Sequence, residues 1–246
     1  MRFLRDNSLA LFFFAIFVVA LAGQSVAGHA VYNEDQLAHG GEAVSYWRYL
    51  YSSHFGQAML ENWQSEYLQF ALFILATIWL VQRGSNESKK LGEAGRESEY
   101  AQKLGRYAGP GAPGPARRTG GVLRWLYSNS LLLVMSVVFL GSWFGQSVTG
   151  WTEYNQERSD HDEPAVSWVS YVANPNFWES TLQNWQSEFL AVGSMAALTI
   201  YLRQRGSPES KPVGARQDRR GGLEPGAPEP RGVERTPGAR GQAEEG

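Results

Sequence analysis

The chain has 246 residues, with 22 Lys/Arg against 24 Asp/Glu and a formal net charge of −2. That balance gives no electrostatic footprint for nucleic acid, and the lack of cysteine excludes disulfides, thiolate nucleophiles and thiolate metal sites. The mean hydropathy of −0.33 hides a segregated sequence: four uncharged apolar blocks alternate with polar or Gly/Pro-rich stretches.

The first block covers residues 9–28 and follows Arg2 and Arg5. It has the basic flank and the small-residue end of a signal peptide. Its pattern recurs at residues 131–150, deep inside the chain, so an uncleaved membrane anchor is expected. The second block covers 67–81 and the fourth 189–202, and the spans they form are expected at about 63–82 and 184–203. A span needs about 20 residues to cross ~30 Å of hydrocarbon. Each block reaches that length only by drawing in flanking residues. The polar stretches between them cannot cover four uniformly apolar helices, so the lipid bilayer is the expected partner. The 9 Trp, 11 Tyr and 12 Phe suit the water–lipid boundary.

Sliding the chain by 122 residues aligns 2–89 with 124–211 without a gap, and 37 of the 88 positions are identical. Asn62-Trp63-Gln64-Ser65-Glu66 matches Asn184-Trp185-Gln186-Ser187-Glu188. Gly23-Gln24-Ser25-Val26 with Gly28 matches Gly145-Gln146-Ser147-Val148 with Gly150. The fold expected is an all-α membrane protein of four transmembrane helices, a tandem duplication of a two-helix unit. Repeat 1 covers 2–89 and repeat 2 covers 124–211, with a flexible cytoplasmic linker at 90–123 and a disordered tail at 212–246. Two spans per unit make the copies parallel, related by a pseudo-twofold axis along the membrane normal.

Lys and Arg alternate by segment. The loops after spans one and three carry only Arg48 and Arg158, whereas the stretch from Arg83 to Arg124 and the stretch from Arg203 onward carry nine each. This places both termini in the cytoplasm. The two outer loops are acidic and rich in aromatics, expected to lie partly embedded in the interface.

Ser52 and Asn174, the latter followed by Pro175, are expected to start the second helix of each unit. On that helix Asn62 and Glu66 share a face, as do Asn184 and Glu188, with Trp63 and Trp185 as interfacial anchors. Gln24-Ser25 and Gln146-Ser147 lie at similar depth. Two equivalent polar clusters of Glu66, Asn62, Gln24 and Ser25, and of Glu188, Asn184, Gln146 and Ser147, are therefore expected. They serve as helix glue, as a proton- or cation-handling site, or as interfacial caps. His39 and His161 correspond at the same offset, but a solvated acidic loop is favoured there over a metal site. No Gly-rich phosphate loop, Ser/His/Asp trio or HExxH stretch is present, so no enzyme activity and no cofactor are expected.

The NWQSE and GQSxxG motifs and the two-copy plan resemble a bacterial membrane-protein family known only as domain of unknown function 6766. The resemblance covers about residues 2–206 and implies a bacterial cytoplasmic-membrane setting without an activity. The reading favoured is a structural or interaction role in that membrane. The alternative is a small transporter or channel using paired carboxylates near the outer leaflet, which would need a homo-oligomer because four spans enclose little volume.

Overall fold

A computed structural model describes residues 2–215. The expected tail lies largely outside them. Among the described residues every regular element is helical: α1 (Arg2–Asp6), α2 (Ser8–Ala38), α3 (Tyr46–Leu50), α4 (Ser53–Trp79), α5 (Val122–Ser128), α6 (Ser130–Asp160), α7 (Trp168–Val172) and α8 (Pro175–Leu198). The starts of α2, α3 and α4 stand 122 residues before those of α6, α7 and α8.

Two of these helices, α2 and α6, are long and apolar enough to cross a membrane. Each has 31 residues, about 46 Å at ~1.5 Å per residue. Each therefore runs well past the expected span end, at Gly28 or Gly150. Nothing in 29–38 breaks the helix. It stops only where Gly40 takes a positive φ of 78°, and in the other half where Asp162 does so at 58°.

The second long helix of each half begins where the caps predict. The Ser52 side chain accepts from Phe55 N–H, and that of Asn174 accepts from Asn176 N–H with Pro175 in the first turn. Between 80 and 121, where a flexible linker is expected, the backbone forms turns and two short 3-10 segments, Gly105–Tyr107 and Gly114–Arg117. Just after the second long helices, Ser88 Oγ closes on Gln82 and Ser210 Oγ closes on Gln204, each bonding both backbone groups of its partner. The duplicated Gln-Arg-Gly-Ser segments are thus tied into equivalent loops.

Helix α4 is the centre of the packing. It lies antiparallel along α6 and parallel to α8, as the cross-links at both its ends show. Glycines set the close approach to α6. A Cβ on Gly145 would stand 2.8 Å from Leu60 Cδ1, and one on Gly56 would stand 3.2 Å from Thr149 Cγ2. Small residues permit such contact because no Cβ holds the backbones apart.

The polarity of the structure is inverted relative to a water-soluble bundle. Gln64, Ser65, Gln146, Ser147 and Thr181 are buried, whereas Phe12, Phe13, Phe14, Val19, Val137 and Leu190 each expose about half or more of their surface. Apolar surface on this scale is far beyond the scattered exposed side chains normal for a soluble monomer.

Candidate functional site

The duplicated polar residues do one job in both halves: they tie the short helix, α3 or α7, onto the C-terminal part of the long one. Asn33 takes both backbone groups of Val44, accepting from its N–H at 2.7 Å and donating to its carbonyl at 3.1 Å. Asn155 treats Val166 the same way, at 2.8 and 3.1 Å. A second ring reinforces each contact: His29 Nε2 lies 2.8 Å from the Val44 carbonyl, and Trp151 Nε1 donates to that of Val166 at 2.7 Å. Ser45 and Ser167 cap α3 and α7 through their side chains.

The serines of the GQS motifs join the same anchor. Ser25 Oγ meets Tyr46 Oη at 2.7 Å, and Trp168 Nε1 donates to Ser147 Oγ at 3.1 Å. The last glycine of each motif makes room for a tyrosine. A Cβ on Gly28 would lie 2.1 Å from Tyr49 Oη, and one on Gly150 would lie 2.3 Å from Tyr171 Oη. Tyr49 and Tyr171 are consequently among the few deeply buried aromatic side chains.

Between the halves, at the same end, lies an open polar cavity of about 570 Å³. His54, Glu61, Glu153 and Tyr171 line it together with Asp35, His39, Glu157, Asp160 and His161. Two carboxylates are held by cross-links between helices. Glu153 on α6 accepts from Ser53 Oγ at 2.5 Å and pairs with His54 Nδ1 at 3.4 Å, both on α4. Glu61 on α4 accepts from Gln57 at 2.8 Å and from Ser180 of α8 at 2.6 Å.

The field in the cavity is negative. Burial, then the charges of Glu61 and Tyr154, push the Tyr171 hydroxyl up to about 12. Burial, then Glu153, also raise that of Tyr32. The hydrogen bond to Glu153 raises the His54 pKa above its ordinary value, against the opposing effect of burial. Burial pushes the Glu153 carboxyl up, but its bonds from His54 and Ser53 outweigh that and hold it low.

Serine, histidine and glutamate meet here in an order unsuited to a hydrolytic triad. Glu153 stands between Ser53 and His54, so the imidazole does not receive the hydroxyl proton. Among the described residues no group of three or more His, Asp or Glu is placed to hold a metal ion. His39 and His161 do face each other, with ring centroids 6.5 Å apart.

The expected clusters of Glu66 and Glu188 with the GQS corners are not assembled by hydrogen bonds. Gln146 instead reaches Ser180 and Thr181 on α8, one turn before Asn184, at 3.4 Å each. Gln24 is exposed on α2. Asn62 and Asn184 donate back to their own helices, to the carbonyls of Ala58 and Ser180. Glu66 is exposed and Glu188 half-exposed, within Coulombic reach of each other.

Trp63 lies near Phe17 of α2, with the rings tilted by 46° and their centroids 6.5 Å apart. Trp185 is more than an anchor, since its Nε1 donates at 2.8 Å to the fully buried Gln64 of α4. The Gly–Tyr pairs are identical at the 122 offset, and that recurrence is their signal in the sequence. His54 and Glu153 carry no such signal, because their equivalents are Asn176 and Val31.

These features define an all-helical chain with two potential membrane-crossing helices and a polar cradle at one end. The chain belongs to the family described as a domain of unknown function (DUF6766), which matches residues 1–222. No curated protein and no solved structure matches it.

Proposed function

We propose that this chain is a multi-pass protein of the bacterial cytoplasmic membrane, with four spans from a duplicated two-helix unit and both termini inside. Its role is structural or interactive, exerted through the polar cradle on the outer face. The observation that carries this reading is the inverted polarity: glutamines and serines are packed between helices while phenylalanines and valines cover the outside. Lipid is the solvent in which that arrangement is stable, because apolar side chains meet hydrocarbon and polar ones find partners within the bundle.

Transport through Glu66 and Glu188 is the weaker reading. Their mutual proximity favours it. Deeper in α4, however, the polar residues are Gln69 and Thr77, and Thr77 spends its hydroxyl on carbonyls of its own helix.

The absence of native cysteine gives a direct test. A single cysteine at Ser159, in the outer end of α6, should react with a membrane-impermeant maleimide in intact cells. One at Ser98, in the linker, should react only after lysis. The protein should also stay in the membrane pellet after alkaline carbonate. Release by carbonate, or labelling at Ser98 in intact cells, overturns the topology.

A further inference from the structure

The contact between α4 and α6 joins the second long helix of one half to the first long helix of the other. The positions 122 residues away, on α8 and α2, make no comparable contact in this chain. Gly145 is covered by Leu60, but its equivalent Gly23 has nothing within 4 Å of a built Cβ, and Leu182, the equivalent of Leu60, is 51% exposed. Gln64, Ser65 and Gln146 are 0%, 2% and 1% exposed, whereas Gln186, Ser187 and Gln24 are all open.

We infer that α8 of one copy of this chain seats on α2 of a second copy, repeating between chains the contact that α4 makes with α6 within one. A contact of this head-to-tail kind leaves one unmatched surface at each end of a two-unit chain. A twofold dimer, a ring of four units, is the smallest closed assembly of whole chains that satisfies both ends; a rotation that does not close would give an open chain instead.

The divergence between the halves is matched across the proposed contact. The polar pair Ser53–Glu153 becomes Pro175 and Val31, both apolar. The contact of Gly56 with Thr149 becomes Trp178 and Ala27, larger on one side and smaller on the other. Along α2 the stripe Ala20, Gly23, Ala27 and Val31 is exposed throughout and offers a shallow groove for Trp178 and Leu182. This inference goes beyond the membrane reading, and only the cost of leaving Gln24 and Gln186 against lipid rests on it.

The test uses the full-length cysteine-free chain. One copy carries Gly23→Cys and a second, differently tagged copy carries Leu182→Cys. Both are co-expressed, and isolated membranes are oxidised with copper phenanthroline. The expected result is a band of twice the chain mass holding both tags, at least ten-fold above the control pair Leu21→Cys with Leu182→Cys. Leu21 lies on the opposite side of α2 at the same depth. Leu60→Cys with Gly145→Cys in one chain should lock at monomer mass, reporting that the helices pack as described.

A missing heterodimer band beside a locked control overturns the proposal. So does a Gly23→Cys/Leu182→Cys chain that locks only at monomer mass, which would mean that α8 folds onto its own α2. Gly23→Trp adds a readout without thiol chemistry: the detergent-purified protein should shift from dimer to monomer by light scattering, and an unchanged mass counts against the contact. Partition of the same samples between pellet and supernatant reports separately on the membrane reading.

Discussion

His54 and Glu153 bridge the two halves of the chain, with Nδ1 of the histidine 3.4 Å from Oε2 of the glutamate. The pair gives stability a pH dependence. The folded-state pKa of His54 is raised above 6.5, so its contribution is complete below that value and is lost as pH rises through the folded pKa. The Glu153 pKa is lowered below 4.5, so its contribution is complete above that value and is lost as pH falls through the folded pKa. The pair therefore supports the fold best between about pH 4.5 and 6.5. The imidazole is 43% exposed, so solvent screening limits the gain to about 1 kcal/mol or less. Melting in detergent micelles from pH 4 to 8 should show a shallow maximum that His54→Ala flattens. An unchanged profile in that variant would mean that the bridge is not formed.

Gly150 and Tyr171 make a sharper prediction. An added methyl normally favours a helix by roughly 0.5–1 kcal/mol over glycine. Here it would stand 2.3 Å from a buried hydroxyl, so overpacking wins. Gly150→Ala should destabilise by about 1–3 kcal/mol, and Tyr171→Phe should recover part of the loss in the double variant. Gly141, with nothing within 4 Å, is the contrasting site. Gly141→Ala should be neutral or stabilising. Equal losses at the two glycines would contradict the packing described.

Much of the fold could be read in advance because it depends on local rules. Ser52 and Asn174 mark helix starts because their side chains satisfy free backbone N–H groups. The 122-residue offset returns the same helix starts: Ser45 and Ser167 recur as caps, and Asn174 takes the place of Ser52. The outward reach of α2 to Ala38 was missed, because hydropathy ends near Gly28 whereas helix formation continues until a residue breaks it. The polar contacts are not legible in the sequence for another reason. Spacing puts Asn62 and Glu66 on one face, but it does not say that the amide will bond its own helix. Nor does it say that α6 will offer Gln146 to Ser180 one turn earlier. Those outcomes depend on the relative shift of two packed helices, a quantity that no single helix carries.

The Asn33 and Asn155 clamps test whether the duplicated motifs are architectural. Each fixes both backbone groups of a valine with one side-chain amide, and no hydrophobic side chain can replace that. Asn33→Ala or Asn155→Ala should cost about 1–3 kcal/mol, since the valine N–H loses its partner and the carbonyl is left with the ring of His29 or Trp151 alone. Loosened α3 or α7 should then show faster proteolysis at 39–45 or 161–167 in the folded protein. Asn→Asp keeps the acceptor for the valine N–H but loses the donor, so it should fall between wild type and alanine. If both alanine variants melt like wild type, the amides are ornamental and the motif needs another explanation.

Glu66 and Glu188 decide between the two functional readings. They lie near each other, yet neither closes a hydrogen bond with the GQS corners, and the buried polar contacts around them run through Gln64, Trp185 and Gln146 instead. A structural protein should tolerate their neutralisation, because on the proposed membrane reading an amide costs less near hydrocarbon than a carboxylate. Glu66→Gln/Glu188→Gln is therefore expected to melt at or slightly above the wild-type temperature. Gln64→Ala should lose about 1–3 kcal/mol by stranding the Trp185 N–H. In proteoliposomes loaded with a pH-sensitive dye or with potassium, the wild type should show no flux above empty vesicles, and the double variant should match it. Flux in the wild type that the double variant abolishes would overturn the structural reading and assign the carboxylates to a transport path.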